Sequence, residues 1–181
     1  MSEDLEMQKR KLRARKTLEE VSKMRGMGTE LVTVIIPPEK MLSDVRHHLI
    51  QEGGQAANIK SKSTRKHVTD AIESAVSTLG RYKTPGERGI ALFVGHVIIG
   101  NNKSRLISVV VDDPPEAFPS FRYRCDSSFE TSQLEDMLID KTAYGLFVID
   151  RSESAYGLAS GKRHHCQEHI TSQVPSKHGR G

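Results

Sequence analysis

The chain has 181 residues, of which 36% are apolar, 28% charged and only 5% aromatic, with no Trp, a formal charge of +4, a pI near 9.1 and a mean hydropathy of −0.49. That length holds one good-sized domain, or one domain and part of a second, and the mild basicity leans toward a polyanionic partner. Two cysteines are too few for a disulfide framework, the charged amino terminus lacks the apolar core of a signal peptide, and no window reaches the length of a membrane span, so a cytoplasmic location without membrane contact is expected.

In chain order, the first expected element is a charged helix from about Asp4 to Met24. Leu5, Leu12, Leu18 and Val21 give it only a thin apolar stripe, so it should stand partly apart. LVTVII, Leu31 to Ile36, is rich in β-branched residues and reads as a buried strand. A second helix, about Glu39 to Gln51, carries Met41, Leu42, Val45 and Leu49 on one side, and Gly53-Gly54 should close it. Then comes QAANIKSKSTRK, with Lys60, Lys62, Arg65 and Lys66 and no acid between Gly53 and Thr69. Val68, Ala71, Ile72, Ala75, Val76 and Leu79 recur at helical spacing, which predicts a helix over Ser63 to Arg81 with one buried face. The basic turn therefore leads into a helix amino terminus, where unpaired backbone N–H groups favour anions.

Strands follow at Gly89 to Ile99 and Arg105 to Val111, joined by the turn GNNKS, and then a short strand in FRYRC. A compact helix, about Thr131 to Ile139, has a capping-box pattern in Ser132 and Glu135. YGLFVID and SAYGLAS read as two strands around the turn Arg151 to Glu153. The fold class is α+β: an amino-terminal domain, 1–140, with a roughly four-stranded sheet covered by helices, followed by 141–181, the start of an α/β middle domain that cannot complete its core within these residues.

Four groups could carry chemistry. The basic turn is either a solvated helix start or an RNA-reading element, because Asn58 and Lys60 flank an apolar Ile59 that can anchor while its neighbours point outward. In YRCDSSF, Tyr123 and Cys125 share a strand face and Phe129 returns after the turn; this is either a core face or a platform for stacking a base. His164, His165, Cys166 and His169 do not have the spacing of a usual zinc site. A strand with His165 and His169 on one face and Cys166 on the other suits them better, and no metal is expected. His47-His48 reads as helix-flank cover. The terminal SKHGRG is either a flexible tail or a glycine-rich loop in which Lys177 and Arg180 meet phosphates.

Taken together, these pieces resemble the class-1 peptide chain release factors of archaea and eukaryotes. The resemblance is carried by NIKS at Asn58-Ile59-Lys60-Ser61, by Y-x-C-x-x-x-F at Tyr123, Cys125 and Phe129, and by a G-T-x element at Gly28-Thr29. It extends to IIPP at Ile35 to Pro38, Glu52 ahead of NIKS, the FVID strand and KHGRG. It implies translation termination: the amino-terminal domain would enter the ribosomal A site, bind mRNA and small-subunit rRNA, and inspect a stop codon with residues 28–30, 52–61 and 123–129.

On that reading Asn58 and Lys60, within the codon-recognising set Asn58, Ile59, Lys60 and Ser61, satisfy an acceptor of the first uridine, and Glu52 accepts from an adenine amine. Tyr123 contacts a purine by edge or face and Thr29 lies nearest the third base, while Cys125, Phe129 and Gly28 belong to the same codon-recognising elements. Lys62, Arg65 and Lys66 would contact RNA phosphates. Glu30 departs from the Ser of the eukaryotic pattern, which puts a purine-discriminating role at that position in question. The family's Gly-Gly-Gln trigger is represented only by Gly179, Arg180 and Gly181, ahead of the expected Gly-Gln. The resemblance thus implies a truncated chain, not itself an enzyme and without cofactor. A translational GTPase would bind through a carboxy-terminal domain missing here. Two other classes stay open: a ribosome-rescue relative that does not read codons, and an RNA-processing enzyme using two converging histidines.

Overall fold

The structure, a computed structural model, describes residues 2–100, 103–139, 143–150, 152–160 and 163–172. The chain forms two compact units, Met1–Leu138 and Ile139–Gly181. The first contains helices α1 (Ser2–Val21), α2 (Leu42–Gln55), α3 (Lys62–Leu79) and α4 (Ser132–Leu138) and strands β1 (Leu31–Ile36), β2 (Ile90–Gly100), β3 (Lys103–Val111) and β4 (Arg122–Asp126). Its strands form one antiparallel sheet in the order β3-β2-β1-β4.

β1 is buried along its whole length because it is central and both of its faces are covered. Its alternation divides the core in two. Val32, Val34 and Ile36 pack with Leu42, Val45 and Leu49 of α2 and Val68, Ala71, Ile72, Ala75 and Leu79 of α3. Leu31 and Ile35 pack on the other side with Ala14 and Val21 of α1, Phe93, Phe118, Phe129, and Leu134 and Met137 of α4. The polar exception, Thr33, is satisfied: its hydroxyl accepts the Glu130 N–H at 3.0 Å.

Four local expectations change. α1 does not stand apart, since Ala14 and Val21 are buried while Leu5 and Leu12 are exposed; small Ala14, hidden among bases in the sequence, completes the stripe at 14, 18 and 21. α2 starts at Leu42 and runs through Gly53-Gly54. Gly53 is a packing contact, where an added Cβ would sit 3.4 Å from Ile72 Cγ2 across the α2–α3 interface. α3 begins at Lys62 with Ser61 as its cap. The α4 pattern lies one residue earlier than expected, with the Thr131 hydroxyl donating to Glu135 Oε1.

Gly95 in β2 faces the backbone of Glu30 so closely that a Cβ would collide with the Glu30 carbonyl oxygen and Leu31 Cα. Bare backbone is what allows this approach.

The second unit is an antiparallel meander of β5 (Ala143–Ile149), β6 (Glu153–Ser160) and β7 (Arg163–Thr171). Tyr144, Leu146, Phe147, Val148 and Ile149 are all exposed. In β7 the register skips one residue: Cys166 pairs with Gly157, and Glu168 with Tyr156. This bulge at Gln167 inverts the face alternation. His165 and His169 therefore lie on opposite faces, and Cys166 shares a face with His169, the reverse of the expected arrangement.

Candidate nucleic-acid interface

α2 ends in a single 3₁₀ turn, Ala56–Asn58, and the chain is then extended through Ile59 to Ser61 before α3 starts. Ile59 packs against the core while Asn58, Lys60 and Ser61 are exposed. Ser61 fixes the helix start, its hydroxyl accepting from the Thr64 N–H at 3.3 Å and from the Thr64 hydroxyl at 3.0 Å. The Arg65 guanidinium reaches back to donate to the Ala57 carbonyl at 3.3 Å. It braces the turn from a half-buried position.

Lys60, Lys62 and Lys66 are exposed and, among the described residues, form no ion pair. The first turn of α3 contains no acid. A helix start ordinarily favours acids because its own dipole is positive there; lysines add to that field instead. The local rule is broken in the direction that attracts a polyanion.

Beside this turn, α2 and β4 bring three of the singled-out side chains together. Tyr123 and Cys125 lie on the same face of β4, opposite Val34 and Val32 of β1. The Cys125 thiol donates to the Tyr123 hydroxyl at 3.2 Å. Burial pushes the Tyr123 phenol far above its usual range, helped by the Cys125 thiol and the Glu52 carboxylate. Burial likewise raises the Cys125 thiol; the hydrogen bond to Tyr123 opposes this and the Glu52 charge adds to it. Both groups are thus neutral donors, and Glu52 is near enough to act on both.

His48 does more than cover the helix flank. Its ring meets Tyr123 edge-on at 5.3 Å and Phe121 at 5.8 Å, holding the phenol ring in place. A histidine on the α2 face beside Leu49 was the only sequence sign of this.

The third segment also reaches this neighbourhood. Gly28 lies against the first turn of α3, where a Cβ would be 3.8 Å from Thr64 Oγ1, and Thr29 is exposed. Glu30 turns the other way: it is 2% exposed, and its carboxylate accepts from His67 Nδ1 at 2.9 Å. It contributes no surface.

Some expectations are not met by this geometry. Phe129 does not join Tyr123; it is buried on the opposite side of the sheet, edge-on to Phe93 at 5.6 Å. The strand turns away after Asp126, and the sheet separates the two rings. His165 and His169 do not converge, since they lie on opposite faces of the meander. No group of three metal-ligating side chains occurs among the described residues. Gly179, Arg180 and Gly181, with Lys177, lie outside the described residues.

Comparison with known proteins fits this geometry. The family described as eRF1 domain 1 matches residues 9–139. Peptide chain release factor subunit 1 of Thermoplasma acidophilum is 44% identical over 172 residues, 95% of this chain and 41% of that protein. The Methanosarcina mazei protein of the same name is 47% identical over 167 residues, 92% of this chain and 40% of its own length. A crystal structure of an archaeal translation termination factor, aRF1, superposes with a TM-score of 0.67 at 32% identity, covering 91% of this chain and 45% of that one. The chain spans about two fifths of the length of the curated relatives it matches. By its domain match and these relatives, the chain belongs to the peptide chain release factor subunit 1 family and carries the first domain of that family.

Proposed function

We propose that this chain recognises stop codons in the ribosomal A site, with residues 1–140 as the decoding module and 141–181 as the start of the domain that triggers peptidyl-tRNA hydrolysis. The observation that carries the reading is convergence: Tyr123 and Cys125 lie side by side on β4, the Glu52 carboxylate of α2 acts on both, α2 leads directly into the Asn58–Ser61 turn, and Gly28 lies against the first turn of α3. Carboxylate, amide, phenol and ammonium groups together can pair with both donor and acceptor edges of unstacked bases, as single-stranded RNA recognition requires. Lys62 and Lys66 supply phosphate attraction without sequence information. Arg65, held on Ala57, chiefly shapes the turn. The chain acts in the cytoplasm on ribosome and mRNA, and release chemistry belongs to the ribosome. A translational GTPase would join through a further domain of the full-length protein.

The test is binding of the chain to ribosomal complexes carrying UAA, UAG, UGA or a sense codon in the A site, with a full-length family member as control. Stop-codon complexes should bind at least about tenfold tighter, roughly the discrimination of one good base contact. Lys60→Ala and Tyr123→Ala should reduce the ratio. Lys62→Ala should weaken all complexes equally and lower the salt slope by about 0.7. Equal binding of stop and sense complexes by the chain, in an assay where the full-length control discriminates between them, would overturn the proposal.

A further inference from the structure

Glu30 is the only charged residue that is buried among the described residues. It does not stand alone. Its carboxylate bonds His67 Nδ1 at 2.9 Å, the His67 ring stacks on His96 at 3.9 Å and 13°, and His96 Nε2 bonds Asp70 Oδ2 at 3.2 Å. His67 and Asp70 belong to α3, and His96 to β2. The four side chains thus connect the segment before β1, the helix that starts at the basic turn, and the neighbouring strand.

We infer that this network is a positioning device: it fixes the Gly28–Thr29 loop relative to the first turn of α3, and through that spacing it sets discrimination among codons. The inference rests on the decoding reading for its second half only. Three observations support it. Glu30 directly follows the exposed Thr29, so the position of its buried carboxylate dictates where Thr29 emerges. Its backbone is pressed against Gly95 of the neighbouring strand, so the side-chain bond to His67 fixes the remaining freedom. His67 lies on α3, the helix whose Thr64 borders Gly28 and bonds the capping Ser61, so loop and turn are held by one rigid element.

Apolar packing could stabilise the fold as well as a buried carboxylate–imidazole pair does. What the pair adds is direction, since a hydrogen bond holds only over a narrow range of distance and angle. His96 has its own carboxylate in Asp70, so the stacked rings are each oriented from outside the stack. The His96 Nδ1 atom is buried with no partner, which is consistent with a ring oriented by Asp70 at the cost of its second nitrogen.

The experiment uses the 181-residue chain and its variants Glu30→Gln, Glu30→Ala, His67→Ala and His67→Asn. Backbone order parameters are measured by 15N relaxation, and codon preference by the ribosome-binding assay above. In Glu30→Ala and His67→Ala, order at Gly28 and Thr29 should fall from about 0.85 to below about 0.6, with β1 and α3 unchanged, and discrimination should drop about tenfold. Glu30→Gln keeps an acceptor and His67→Asn keeps a donor near the Nδ1 position, so both should restore loop order and most of the discrimination. Unchanged order at Gly28 and Thr29 in the alanine variants, or a loss spread evenly through β1 and α3, would overturn the positioning role. A loosened loop with intact codon preference would overturn the specificity role. Should the unmodified chain show no stop-codon preference, the decoding reading fails, and the order parameters alone decide whether the network positions the loop.

Discussion

At the scale of single residues, the two cysteines differ in what surrounds them. Cys125 is half-buried, bonded to Tyr123 and held above the usual thiol range by burial and by Glu52; Cys166 is exposed on β7. Thiolate is the species that alkylates. With iodoacetamide at pH 7.5, followed by mass spectrometry, Cys166 should react first and Cys125 at least about tenfold more slowly. Glu52→Gln removes a charge that disfavours the Cys125 thiolate, so it should speed Cys125 specifically. An unchanged rate would mean that Glu52 is farther from the thiol than its influence implies. Pairing of Tyr123 with Cys125 was legible in the sequence, because strand alternation places them on one face. Burial of Glu30 was not. Its partner His67 is on α3, across a stretch of chain whose path no local pattern specifies, so the residue read only as a departure from a motif.

At the scale of elements, α1 shows how a helix with little apolar surface is held. Asp113, just past β3, receives Arg10 and Arg13 from α1 at 2.9 Å each, and Arg88 ahead of β2. Burial raises the Asp113 carboxyl, but hydrogen bonds from Arg88 and Arg10 outweigh it and hold it below its ordinary 3.8. A depressed carboxylate stabilises the fold fully above its unfolded value, and that contribution is lost as pH falls through the folded value. Melting temperature of the wild type should therefore drop more steeply below about pH 4 than that of Asp113→Asn, while the variant is the less stable of the two at pH 7. Parallel acid limbs would show that the arginine cluster contributes nothing. α1 itself was visible in the sequence as a charged helix. Its docking was not, because Ala14 is too small to mark an apolar face among four bases. Strands β1 to β3 lay close to their expected bounds, since β-branched runs bounded by proline and glycine leave few alternatives. α2 was misjudged at Gly53, where a glycine that serves close helix packing looks the same in sequence as one that ends a helix.

At the scale of the whole molecule, the buried members of both core clusters, among the described residues, lie between Ala14 and Met137. The chain 1–138 should accordingly fold without the meander. Its thermal unfolding should be cooperative, with a midpoint within about 2 °C of the parent chain, because no core contact is removed. A broad transition, or a midpoint lower by about 10 °C, would show that the first unit depends on residues after Leu138. The candidate interface belongs entirely to this unit, so stop-codon preference should survive the same truncation.

Gly95 has a consequence for heredity. Every single-nucleotide change in a glycine codon that alters the encoded amino acid adds at least one carbon where the Glu30 carbonyl already sits. A lineage cannot drift at this codon by small steps, as it can at the solvent-facing lysines. Change here would have to arrive together with a retreat of the segment holding Gly28 and Thr29. The codon for a side-chain-less residue in the middle of β2 thus limits how the Gly28–Thr29 loop can diverge, although the two are separated by α2 and α3 along the gene.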